Sequence, residues 1–189
     1  MGIENNPQTN INKTSGMKFR KIVVVAVVVI VVVAVVAGGY LALNSGKPGS
    51  PFSPGGNSAI SSASSLQYTV SVTNSTGGLV GAWTYYAKNI GTSNLCLRIE
   101  YAAASTNFIY IVNGVQHTVW VSENNFWVDE SSLYATQLDT WNNAFKGYVN
   151  FLANYAGTSD YTYHSSNGQT IRYTNIAVNP NLSDSFFTH

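Results

Sequence analysis

The run IVVVAVVVIVVVAVVA from Ile22 to Ala37, carried on by GGYLAL to Leu43, restricts this chain more than any other stretch. It contains no charged residue, and at about 1.5 Å per residue it spans roughly 33 Å as a helix. A bilayer hydrocarbon core is about 30 Å thick. In water, so many valines would favour a strand. Lipid offers no partner for an open strand edge, so a helix is the one single-segment way to satisfy the backbone. The chain is therefore expected to divide into four parts: a basic tail over 1–21, a transmembrane anchor over 22–43, a Gly/Ser/Pro-rich linker over 44–65 and one outer domain over 66–189.

Charge placement gives the orientation. Lys13, Lys18, Arg20 and Lys21 stand before the run against Glu4 alone. Basic residues are retained on the cytoplasmic side, which puts the amino terminus inside and the carboxyl-terminal domain outside a cell membrane as a single-pass protein. A cleaved signal peptide is the rival reading, since Val35-Val36-Ala37 offers small residues to a peptidase. The apolar run exceeds the usual signal core of about 7–15 residues and stays apolar past Ala37, which favours an uncleaved signal-anchor. A pilin-type signal would need its cleavage site directly before the run, where Arg20-Lys21 stand.

Charged residues are 9% of the chain, against about a quarter in ordinary soluble domains. Asn, Ser, Thr and Tyr supply the polarity instead. Such a surface suits an acidic medium, where carboxylates are protonated, and it is similar in composition to surface proteins of archaea from hot acidic water. A glycosylated surface domain at neutral pH accounts for it equally. From Pro48 onward the chain carries only Lys88, Arg98, Lys146 and Arg172 against every acidic residue except Glu4, so no basic patch exists for nucleic acid. Cys96 is the single cysteine, which excludes an intrachain disulfide, a zinc knuckle and a CxxC centre.

From Leu66 the pattern turns to strands. Leu66 to Thr73 alternates, with Leu66, Tyr68, Val70 and Val72 on one face, and NSTGG turns the chain. Leu79 to Ala87 follows with aromatics on both faces. Asn94 to Tyr101 then sets Leu95, Leu97, Ile99 and Tyr101 against Cys96, Arg98 and Glu100. In FIYIVNGVQHTVWV, Asn113-Gly114 predicts a two-residue type I′ hairpin. That turn would set Val112 opposite Val115, Tyr110 opposite His117 and Phe108 opposite Val119, with Val121 on the same face. NNFWV makes a further short strand. Asp129-Glu130-Ser131-Ser132 predicts a helix start. Leu133, Tyr134, Leu138, Trp141, Phe145, Val149 and Leu152 mark an amphipathic helix to about Tyr155, with Gly157 as its stop. YTYH and TIRYTNIAV supply two last strands, and a loose tail ends the chain. The fold class expected is α+β: a mainly antiparallel sheet with one amphipathic helix packed on it, preceded by the membrane helix.

No catalytic constellation stands out, and an enzyme is not expected. His117, His164 and His189 share no metal-ligand spacing, and a mid-strand His117 reads as structural. Glu123, Asp129 and Glu130 could hold calcium from a loop, but a helix-start role already accounts for two of them. No metal and no cofactor is expected. Cys96 reads as an inert packed thiol, with Arg98 nearby as the one group that could activate it. Asn74-Ser75-Thr76 and Asn181-Leu182-Ser183 are glycosylation acceptor patterns, placing candidates at Asn74 and Asn181. Asn12-Lys13-Thr14 also matches, but on the expected cytoplasmic side.

GAWTYYAKNIGTSNLCLRIEY and FIYIVNGVQHTVWVSENNFWV, within Gly81 to Val128, resemble the strand sequence of the lipoprotein-carrier (LolA/LppX-like) superfamily. The shared features are a strand with paired aromatics, a glycine turn, the Arg98-Ile99-Glu100-Tyr101 strand and a hairpin at Asn113-Gly114. The resemblance implies a curved half-barrel whose concave face accepts acyl chains, with the helix Ser131 to Tyr155 as its lid. Carriers of that family lack a peptide anchor of this kind and are longer. Two readings follow. In the first, the outer domain binds an apolar or lipidic ligand lined by Trp83, Tyr85, Tyr110, Trp120, Tyr134, Leu138, Trp141 and Phe145. In the second, it is a structural or interaction component of a cell envelope or virion membrane, with the bilayer and an envelope protein as its partners. The helix stripe decides between them, as ordinary core or as cavity lining.

Overall fold

Alternation of buried and half-buried side chains along β1 (Ser65–Thr73) sets up the sheet: Leu66, Tyr68, Val70 and Val72 point into the core. The computed structural model describes residues 58–103, 106–153, 160–164 and 168–189. The expected anchor and basic tail lie outside these residues, as do the helix stop at Gly157 and most of the linker. No helix among the described residues is long and apolar enough to cross a membrane.

Seven more strands follow: β2 (Leu79–Lys88), β3 (Cys96–Ala103), β4 (Thr106–Asn113), β5 (Thr118–Glu123), β6 (Phe126–Asp129), β7 (Tyr161–His164) and β8 (Thr170–Val178). They form one sheet in the order β6-β5-β4-β3-β2-β1-β8-β7, antiparallel at every step. Tyr68 faces Tyr85 and Val70 faces Trp83 across β1 and β2. Gly81 continues that face because a side chain there would meet the Trp83 and Tyr101 rings at 2.9 Å. On the β8 side, Asn175 takes φ +54° beside a register shift, a bulge that lets β8 follow β1 around its twist.

The sequence-predicted strands are all present, but the central hairpin differs in register. Val112 pairs with Val119, Tyr110 with Val121 and Phe108 with Glu123, and 114–117 form the turn. The reason is long-range. Gly114 donates its N–H to the Leu95 carbonyl at 3.0 Å, and a Cβ there would lie 2.4 Å from the same oxygen. The Asn113 Oδ1 accepts the N–H groups of Val115 and Gln116 at 2.9 and 3.0 Å, making a wider side-chain-stapled turn. The left-handed residue is His117, at φ +55°, so His117 lies in the turn and not mid-strand. Val115 leaves the core face and is exposed.

The helix begins with a 3-10 turn (Ser131–Leu133) and continues as α2 (Tyr134–Ala153). Asp129 ends β6 just before it, and its Oδ1 accepts the Ser131 N–H at 2.9 Å, while Glu130 at the N-cap makes no side-chain cap bond. Leu133 is exposed, so the stripe starts one turn later. Gln137, Trp141, Phe145 and Leu152 are its buried members. Asn143, Gly147 and Asn150 are weak helix formers, and packing on the sheet holds the element together.

Two expectations about the domain's limits are corrected. The linker's end belongs to the fold: Ser58–Ser61 form a short helix, α1, which touches α2, and Ile60 and Ala63 are buried. The carboxyl-terminal tail is not loose. It makes a 3-10 turn (Asp184–Phe187) that buries Phe187 against the sheet face opposite α2.

Candidate functional site

The helix face of the sheet gathers the aromatics that the strand alternation puts on one side. Tyr68 stacks on Tyr85 with ring centroids 5.1 Å apart. Phe145 of α2 reaches Tyr68 at 6.1 Å and Tyr85 at 6.4 Å. Trp141, one turn earlier, lies 4.8 Å from Tyr110. Trp83 sits under Tyr101 at 5.4 Å. Of the residues expected to line a groove, the structure therefore brings together Trp83, Tyr85, Tyr110, Trp141 and Phe145, all at 2% exposure or less.

Tyr134 is half-buried at the margin, stacked on His117 at 5.0 Å, and Leu138, four residues on, is half-buried too. Trp120 does not belong to the group. It pairs with Ile111 across β4 and β5, so it faces the opposite side from Tyr110 and Val121. A one-residue step along a strand reverses the face.

This aromatic layer is not purely apolar. Trp83 Nε1, Trp141 Nε1, the Tyr110 hydroxyl and Gln137 Oε1 are buried without a hydrogen-bond partner among the described residues. Gln137 Nε2 donates to Glu130 Oε2 at 3.4 Å. Burial pushes the Tyr110 phenol well above its ordinary value, and the Glu130 and Glu123 carboxylates add to the effect. Burial also raises the Glu130 carboxyl. Asp129 moves the other way, lowered by its hydrogen bonds from Ser131.

The second face was not anticipated from the sequence. Phe187 contacts Cys96 and Ile111, ringed by Tyr86, Ile109, Trp120, Trp127, Leu182 and Phe186. Sheet side chains reach the tail's backbone in strand order. Lys88 of β2 donates to the Leu182 carbonyl at 2.9 Å and pairs with Asp184 at 2.6 Å. Arg98 of β3 donates to the Phe186 carbonyl at 3.3 Å, with its guanidinium 4.5 Å from the Phe186 ring centre. Asn113 of β4 donates to the Phe187 carbonyl at 3.1 Å. His189 then stacks on Trp127 of β6 at 4.2 Å and meets the edge of Trp120 of β5 at 5.0 Å. The one sequence signal for this layer was the aromatic set that alternation turned away from the helix: Tyr86, Trp120 and Trp127.

Cys96 is buried beneath this layer, its Sγ 3.5 Å from the Asn94 carbonyl and 3.6 Å from Asn113 Oδ1. Arg98 turns from it to Glu100, at 2.8 Å, and to the tail. Among the described residues no group of three His, Cys, Asp or Glu side chains could hold a metal ion. His164 Nδ1 lies 3.0 Å from Thr170 Oγ1. Both candidate glycosylation positions are exposed. Asn74 lies in the β1–β2 turn, where its Oδ1 takes the Thr76 hydroxyl at 2.8 Å, and Asn181 lies between Pro180 and Leu182. Compared with known proteins, the chain matches no family model and no curated sequence.

Proposed function

We propose that this chain is a membrane-anchored, extracytoplasmic surface protein whose outer domain acts as a structural or interaction component of an envelope. One observation carries the choice over ligand carriage. The aromatics that would line a groove contact one another and α2 directly, Tyr110 on Trp141 and Tyr85 on Phe145. An acyl chain could enter that layer only by displacing the helix, along with the buried rings it covers. The anchor and its orientation rest on the charge-free run after Lys18, Arg20 and Lys21. Protease added to intact cells should release a fragment that begins within 44–57, ahead of α1. A carboxyl-terminal domain protected from protease would overturn the reading.

The lipid-carrier reading has one observation in its favour. Buried polar atoms on Trp83, Tyr110, Gln137 and Trp141 lack partners among the described residues, and a bound apolar molecule with a polar group would supply them. The lipoprotein-carrier resemblance supports it too, with α2 as the lid. In that case the outer domain, once released from the anchor by protease, retains a lipid found by mass spectrometry. Its tryptophan fluorescence then changes as a fatty acid is titrated in. Neither signal is expected on the structural reading.

A further inference from the structure

The tail is held to the sheet in the manner of a bound peptide. Three donors on three successive strands (Lys88, Arg98 and Asn113) each reach a tail carbonyl, and aromatic contacts receive Phe186, Phe187 and His189. Backbone carbonyls are read by fixed donors and side chains by pockets, so main chain and side chains are recognised separately, as in a bound peptide. No strand ladder joins the tail to the sheet among the described residues, so its departure would break no sheet pairing.

The point where the tail leaves β8 is pinned separately. Asn179 takes φ +53°, and its Oδ1 accepts from the Ser64 and Ser65 N–H groups at 2.9 and 3.3 Å and from the Ser64 hydroxyl at 3.1 Å. The Pro180 carbonyl accepts from the Ser65 hydroxyl at 2.8 Å. Asn181 is exposed between this pin and the first sheet contact at Leu182. The bonds that hold Asn179 and Pro180 are therefore separate from those made by the segment from 182 to 189, and they do not depend on where that segment is seated.

We infer that this face is a peptide-binding surface that seats the 182–189 segment of a second copy in place of its own, linking copies by exchanged tails. A neighbouring copy's tail offers the same carbonyls, the same Asp184 for Lys88 and the same rings. The exchanged and internal states therefore share their contacts and differ mainly in loop-closure entropy and local concentration. The inference gives the interaction reading a partner. It rests on that reading only for its setting, since crowding copies on one membrane raises the local concentration that favours exchange.

The test uses full-length chains in detergent, with Cys96→Ala to remove the native thiol. A Lys88→Cys chain is mixed with an Asp184→Cys chain and treated with a short bis-maleimide. The expected product is a cross-linked pair holding one chain of each kind. It should increase with protein concentration, fall with excess synthetic peptide of residues 180–189, and be lost when Phe187→Ala is added to the Asp184→Cys chain. A Val115→Cys chain, with its thiol in the exposed hairpin turn, should give little pair with Asp184→Cys. Equal cross-linking to Val115→Cys overturns the inference. So does a doubly substituted Lys88→Cys, Asp184→Cys chain that links only within itself at every concentration while the mixture gives no pair. The cross-link is read in detergent and the membrane orientation on intact cells, so failure of one leaves the other standing.

Discussion

The two faces of the sheet are covered in different ways. On one side a 20-residue helix lays Trp141 and Phe145 onto aromatic rings, and burial of apolar surface supplies the hold. On the other, a short tail buries chiefly Phe187 and is gripped by side-chain donors on its carbonyls. The first cover is integral to the core. The second shares no ladder hydrogen bonds with the sheet among the described residues, which is the property an exchangeable segment needs.

The sharpest way to break this contrast is to empty one site on each side. Trp141→Ala removes a ring at 2% exposure that touches Tyr110, and a loss of about 3–5 kcal/mol in denaturant melts is expected. The whole domain should melt at the lower midpoint in one transition. A loss below about 1 kcal/mol would mean that the helix side is not the core.

Phe187→Ala empties the tail side. Its cover is thinner and better able to collapse, so the expected loss lies at the lower end for such changes, about 3 kcal/mol. The mode should differ as well. Hydrogen exchange and proteolysis should speed up in 180–189 while β1 to β4 stay protected. Uniform loss of protection across the sheet would show that both covers are equally integral.

Asn113→Ala cuts the link between hairpin and tail. It removes the donor to Phe187 and the acceptor for Val115 and Gln116, and should cost about 1–3 kcal/mol. Tail exchange rates should rise along with turn mobility. An effect confined to the turn would separate the hairpin from the tail grip.

The smallest effect belongs to Glu130, beside the helix start. Burial holds its carboxyl above the ordinary value of 4.5, so the folded state binds that proton more tightly than the unfolded chain. Its contribution to stability therefore falls as pH rises from about 4.5 upward. Asp129, held low by Ser131, has the opposite slope: its contribution is lost as pH falls through the acid range. Glu130→Gln should be slightly stabilising at neutral pH and neutral in acid. Thermal melts at the two pH values check this, and an equal effect at both would rule out the burial argument.

The helix-side layer was largely legible in the sequence. Leu66, Tyr68, Val70 and Val72, then Leu97, Ile99 and Tyr101, alternate with the two-residue strand period, and Trp141 and Phe145 recur at helical spacing. These are local periodicities, and each segment carries its own record of which side is buried. Trp120 follows the same rule: one step out of phase with Val119 and Val121, it faces away from the helix despite its aromatic character.

Periodicity and charge placement act within a segment, so the strands, the helix, most of their inward faces and the charge asymmetry around the apolar run are legible locally. Tertiary structure decided the hairpin register and the tail. Asn113-Gly114 permits a two-residue turn, but the close approach of Gly114 to Leu95 and the Asn113 bonds to Val115, Gln116 and Phe187 select a longer one. The tail has no period of its own. Its place is set by donors on β2, β3 and β4, brought side by side only once the sheet has formed.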